Sequence, residues 1–234
     1  MREPAASEHR FYTSMAVIAA VLTLGGFSSV YVPHAAAGSV PLIVHVHAAV
    51  FTAWLVLFIV QTRLVATRRI GQHRSVGTAG MFLAALMLIV GLLTARNAAR
   101  TGHTGIPGVM FPDAAGFLLL NVAAIAAFTI LVALGWIYRR KAQAHKRLML
   151  MATVAALMPP GLSRLPFVSG HEGAIAGIVL VFLLIPPAYD LMTRRRVHPA
   201  YVFAVVLAFL TIPPVVTAMA ATQAWQHLAA WLVA

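Results

Sequence analysis

The chain contains no cysteine, and only five of its 234 residues are acidic, against 17 lysines and arginines. Without cysteine there are no disulfides, no thiolate metal sites and no cysteine-ligated iron–sulfur clusters, and the redox compartment stays open by this route. The scarcity of carboxylates leaves no chain of them for a proton relay. No nucleophile–base pair, phosphate loop or metal-ligand cluster is legible either, so soluble-type hydrolase chemistry has no support and enzyme status stays open. Charged residues make up 9% of the chain, where a soluble domain carries about 25%.

What is present is apolar: 61% of the residues are hydrophobic. In water such a surface would be covered with large greasy patches, so the expected solvent is lipid. The apolar runs are long and continuous. Barrel strands would alternate in segments of roughly ten residues, so helices are expected. The net charge of +12 could suggest nucleic acid as a partner. Its distribution argues against that, because the charge sits in short clusters between apolar spans, as in loops facing the cytoplasm.

The reading is an all-α integral membrane protein, a single domain of seven transmembrane helices. The spans run at about 11–32, 40–65, 75–99, 113–139, 147–167, 173–192 and 200–221. Residues 222–234, with Trp225 and Trp231, form an interfacial amphipathic tail. The rival reading of the first span as a secretory signal, cleaved near Ala35-Ala36-Ala37, is weakened by its length and by the spans that follow. Asp113, after Pro112, reads as a helix cap. The aromatic pair Trp136 and Tyr138 beside Arg139 marks an interface.

Seven spans put the ends on opposite sides. Arg2 and Arg10 precede span one. Arg63, Arg68, Arg69 and Arg74 lie between two and three. Arg139, Arg140, Lys141, Lys146 and Arg147 lie between four and five, and Arg194, Arg195 and Arg196 between six and seven. Only Arg96, Arg100 and Arg164 fall on the other face. The positive-inside rule then places the N-terminus in the cytoplasm and the C-terminus outside.

A histidine opens the helix after each basic turn: His73-Arg74, His145-Lys146 and His198-Pro199. This reads either as a weak internal repeat of helix hairpins or as the general preference for basic groups at a headgroup interface. Three proline pairs, Pro159-Pro160, Pro186-Pro187 and Pro213-Pro214, should break or kink their helices, with the freed carbonyls facing protein or water.

His45 and His47 lie within span two. Two residues is about 200° of helix, so they cannot hold one metal from a single face. His45 shares a side with Ala48, Ala49 and Thr52, a face suited to close packing. His47, Trp54 and Gln61 repeat every seven residues and form one polar stripe, with His47 the histidine expected to face the bundle. It reads either as a haem or metal ligand or as a hydrogen-bonded intramembrane histidine. Arg96 and Arg164 are candidates to contact an anion or a quinone headgroup, or they snorkel. Asp190 is expected to pair with Arg194 or another loop arginine, and Asn121 and Thr129 to bond between helices.

The pattern His47, Gln61, Arg69, His73-Arg74, Gly77, Gly80 resembles that of bacterial multi-pass inner-membrane proteins of unknown function. The block HKRLMLMATVAALMPPGLSRL at 145–165, Asp190 and the run Arg196 to Tyr201 resemble the same group, which is distantly similar to haem-binding cytochrome b-type membrane proteins. That resemblance implies haem b as a cofactor, with His47, His45, His73 and His145 as candidate ligands, although histidines paired at matching depth inside the spans are lacking. Three functions stay open. The first is a structural, assembly or sensing role without a cofactor, in which only the bilayer or a second copy of the chain is a partner. The second is a haem-b electron carrier or oxidoreductase subunit with a membrane redox partner. The third is a small-solute transporter.

Overall fold

A computed structural model of the chain describes residues 3–106, 109–169 and 171–234. Arg2, counted above on the cytoplasmic face, lies outside them. The described chain is helical apart from one two-residue hairpin. In order come α1 (Glu3–Ala36), α2 (Leu42–Ala66), α3 (Ile70–Arg100), β1 (Gly105–Ile106), β2 (Val109–Met110), α4 (Ala114–Ile137) and α5 (Ala142–Met151). A π-helical turn (Ala152–Leu157), α6 (Met158–Leu162), α7 (Glu172–Arg194), α8 (Pro199–Phe209), α9 (Pro213–Ala220) and α10 (Gln223–Val233) complete it.

Five helices are long and apolar enough to cross a membrane: α1 from Ser7, α2, α3, α4, and α7 from Gly173. The α8–α9 pair, bent by 53°, would make a sixth. Their outer faces carry large apolar side chains turned away from the protein, with Phe82 of α3 75% and Met192 of α7 78% exposed. This is the surface expected where the solvent is lipid rather than water.

The core is the run α5–π–α6, which packs against α1, α4, α7 and α8. Leu150, Met151, Ala152, Val154 and Met158 along it are fully buried. Tyr12, Met15, Ala16 and Ala19 of α1 pack against Leu150, Val154 and Met158. Above that contact α1 crosses α6 at Gly26 and Gly161. A Cβ on Gly161 would come within 2.5 Å of the Thr23 backbone, so only glycine lets the two backbones approach this closely.

The three proline pairs behave differently. Pro159 and Pro160 open α6 directly after the π turn. Their rings clash with carbonyls one turn back, and they cannot donate to Ala155 and Ala156. Widening the turn to π spacing accommodates both faults without ending the helix. At Pro213-Pro214 the chain does break. Ile212, the residue before proline, is extended (φ −74°, ψ 139°) and α9 restarts at the 53° bend, as the clash with proline Cδ requires. Pro186-Pro187, expected to break or kink its helix, lies inside α7, which does not break there.

The interfacial tail is α10, packed against α3, α4 and α9. Trp225 Nε1 donates to the Ala115 carbonyl at 2.9 Å, and Arg96 Nε donates to Leu232 O at 2.8 Å. Asp113 is the cap it was expected to be, accepting from Gly116 N–H at 2.8 Å. Asn121 and Thr129 do not bond between helices. Each donates to a carbonyl of its own helix four residues back, Phe117 and Ile125. A polar side chain in an apolar helix reaches that acceptor without help from a neighbour.

Candidate functional site

The arginine-rich ends of α1 to α5 enclose a cavity of about 870 Å³, within the range that holds cofactor-sized ligands. Its walls are apolar and aromatic, from Trp54, Leu57 and Phe58 on α2, Met81 on α3 and Met149 on α5. Its rim is polar and largely cationic, from Arg74 on α3, Arg139 and Arg140 in the turn after α4, and Gln143 and Lys146 on α5. Gly77 and Gly80 widen the cavity, for neither brings a side chain to the α2–α3 contact. The other pocket of note, about 120 Å³ between α4, α8 and α9, has no polar side chain in its lining.

Two histidines face each other in the large cavity. The rings of His73 and His145 lie 6.1 Å apart between centroids and are inclined at 78°. His145 Nδ1 is 2.8 Å from the Gly135 carbonyl oxygen. A carbonyl only accepts, so Nδ1 carries the proton and Nε2 is left with its lone pair. Gln61 fixes His73. With its amide nitrogen turned toward α3 it donates to His73 Nδ1 and, at 3.2 Å, to the His73 carbonyl, while its oxygen accepts from Gly77 N–H at 2.8 Å. In that arrangement His73 carries its proton on Nε2.

A second polar group adjoins the cavity, and the sequence pointed to its Asp190 without saying which arginine would hold it. Arg147 grips Asp190 with two parallel bonds, Nη2–Oδ1 at 2.5 Å and Nε–Oδ2 at 2.8 Å, and both side chains are 1% exposed. Arg147 Nη1 also donates to the carbonyl and side-chain oxygens of Gln143, each at 2.7 Å. Of the partners expected for Asp190, Arg194 or another arginine of the basic turns, the second is the main one, and Arg194 is a secondary contact at 3.8 Å. The preference has a physical reason. Asp190 sits at the depth of the first turn of α5, and Arg147 can satisfy both its oxygens at once. Glu8 of α1 binds Lys146 at 2.5 Å and Arg194 at 2.7 Å. Tyr12 and Tyr201 hydroxyls meet at 3.1 Å beneath them, with Arg147 over the Tyr201 ring. One signal could have found the pair. Asp190 is the only carboxylate well inside an apolar run, and such a charge demands a buried cation.

The remaining predicted residues lie elsewhere. Trp54 and Gln61 of the stripe line the cavity, but His47 does not. It stacks on Phe51 at 3.9 Å, and its Nδ1 is buried without a hydrogen-bond partner. His45 bonds through Nδ1 to Tyr31 Oη at 2.5 Å, so it ties α2 to α1 rather than merely lining a packing face. Arg164 donates to Pro160 O at 2.6 Å and lies 4.6 Å from the Phe27 ring. Arg96 holds α10. Both arginines thus serve carbonyls of the protein itself. His198 caps α8, its Nδ1 accepting from Ala200 N–H at 3.1 Å. Among the described residues no group of three or more His, Asp or Glu is placed to hold a bare metal ion.

No family model matches the chain, and neither a search of curated proteins nor one of solved structures returned a match.

Proposed function

We propose that this chain is a seven-span protein of a bacterial inner membrane, with its N-terminus in the cytoplasm, and that it binds an amphiphile with an anionic head in the cavity at its arginine-rich end. The seventh span is the run of α5, the π turn and α6, of 10, 6 and 5 residues. At about 1.5 Å per residue it reaches about 30 Å, the thickness of the hydrocarbon core. Added to the five long helices and the α8–α9 pair, it gives an odd number, so the termini lie on opposite sides. The positive-inside rule supports the orientation.

The observation that carries the binding reading is the polarity of the cavity: aromatic and aliphatic walls toward the bundle, arginine and lysine at the rim. A ligand with an apolar body and an anionic head satisfies both, and a small hydrophilic solute satisfies only the rim. The test is native mass spectrometry of the detergent-purified protein. Wild type should carry a bound amphiphile. Gly77→Phe should lose it, since a Cβ there meets only the end of the Gln61 amide at 3.5 Å and the ring can grow into the cavity. Arg139→Ala/Arg140→Ala should hold it more weakly. An empty wild type, or retention by Gly77→Phe, would refute the reading. Reporter fusions at the C-terminus test the topology, because six spans would return it to the cytoplasm.

A further inference from the structure

We infer that the amphiphile is a b-type haem, ligated by His73 and His145. This deepens the binding reading and depends on it. Four observations converge.

The first is spacing. Two imidazoles bound through nitrogen to opposite sides of one metal, at about 2 Å each, have ring centroids about 6 Å apart. His73 and His145 are 6.1 Å apart, on different helices, α3 and α5. The second is tautomer. His145 already donates Nδ1–H to the Gly135 carbonyl, the second-shell bond that orients a ligating histidine and leaves Nε2 free. The third is donor count. A bare divalent cation needs four to six ligands, and no third His, Asp or Glu joins these two among the described residues. A porphyrin supplies four of its iron's six donors itself, so two histidines suffice. The fourth is charge. Arg74, Arg139 and Arg140 at the rim match the two propionates, the lining carboxylate Glu8 being paired with Lys146 and Arg194, while Trp54 and Met81 offer apolar contact to the ring.

Ligation asks two coupled changes of the protein. His73 Nε2 must give up its proton to bind iron, and Nδ1 then takes one. The Gln61 side chain must also turn so that its oxygen accepts from Nδ1–H, which gives up the bonds it makes to Gly77 N–H and the His73 carbonyl.

His47, foremost among the sequence candidates, takes no part. It is stacked on Phe51, outside the cavity lining.

The experiment is absorbance of the detergent-purified protein from haem-replete cells, oxidised and dithionite-reduced, alongside native mass spectrometry. Wild type should show a low-spin Soret band with resolved α and β bands on reduction. His73→Ala and His145→Ala should each lose that spectrum, and added imidazole should restore it in variants that elute as wild type by size exclusion. His47→Ala and His45→Ala should keep it. A colourless wild type that still carries an amphiphile by mass would overturn haem and leave the binding reading standing. An empty protein would overturn both. A low-spin spectrum that survives His73→Ala or His145→Ala, or is lost in His47→Ala, would overturn the assignment of ligands.

Discussion

The two ends of the bundle handle the same problem, cations beside an apolar interior, in different ways. At one end Arg96 and Arg164 bond to backbone carbonyls, and Arg100 reaches Ala234 O at 3.0 Å. At the basic end α1, α5 and α7 contribute to one connected set, Glu8, Lys146, Arg147, Asp190 and Arg194, beside a cavity that Arg74 and Arg140 also line. Cations serving carbonyls lock elements in place. Cations gathered round a void are available to something else. The difference locates the candidate site more firmly than any single residue does.

Breaking the connected set should have the largest effect. Asp190→Ala strands a buried guanidinium and should cost about 3–5 kcal/mol, read as a fall in detergent melting temperature. Adding Arg147→Met should recover much of it. If the double variant is no better than the single, the cost does not come from the unpaired charge.

At the opposite end the comparable weak point is steric rather than ionic. Gly161→Ala drives a methyl group into the Thr23 backbone and should cost about 1–3 kcal/mol, the usual range for overpacking. Stability equal to wild type would mean that the α1–α6 crossing is looser than described.

Next in size is the cap at His198. Burial, assisted by the Arg147 charge, holds this imidazole below its ordinary 6.5. The neutral ring is the acceptor for Ala200 N–H. Its contribution is therefore complete above the unfolded-chain value near 6.5 and is lost as pH falls through the lower folded value. His198→Ala should cost about 1 kcal/mol, and His198→Asn, which can also cap, much less. Equal losses in the two variants would remove the cap from the account.

The smallest effect belongs to Arg96→Ala. It should leave global stability within about 0.5 kcal/mol while raising hydrogen exchange in α10. Unchanged exchange in α10 would show that Trp225 alone holds the tail.

Much of this was legible in the residues. Apolar runs of helical length announced α2, α4 and α7 to within about two residues of their ends, while α1 and α3 begin eight and five residues before their expected starts. Asp113 announced its cap, and the arginine clusters announced the turns. The histidine pair was half legible: His73 and His145 were both marked as openers of basic-end helices, but nothing in a linear chain says that α3 and α5 face each other across α2 and α4. Arg147 read as loop because it follows His145-Lys146, and its burial depends on where α7 brings Asp190. The π turn was hidden because proline marks a fault in the backbone without saying whether the helix widens, bends or runs on. Pro159-Pro160, Pro213-Pro214 and Pro186-Pro187 took those three courses in turn.

By itself the sequence determined the solvent, the helical class and the sites of the turns, because hydropathy, propensity and charge act through neighbours along the chain. Only the tertiary structure decided which histidines share a cavity, which arginine is buried with Asp190, and which cations are left facing a void. Those outcomes depend on helix rotation and depth, which are set by packing among residues more than forty positions apart.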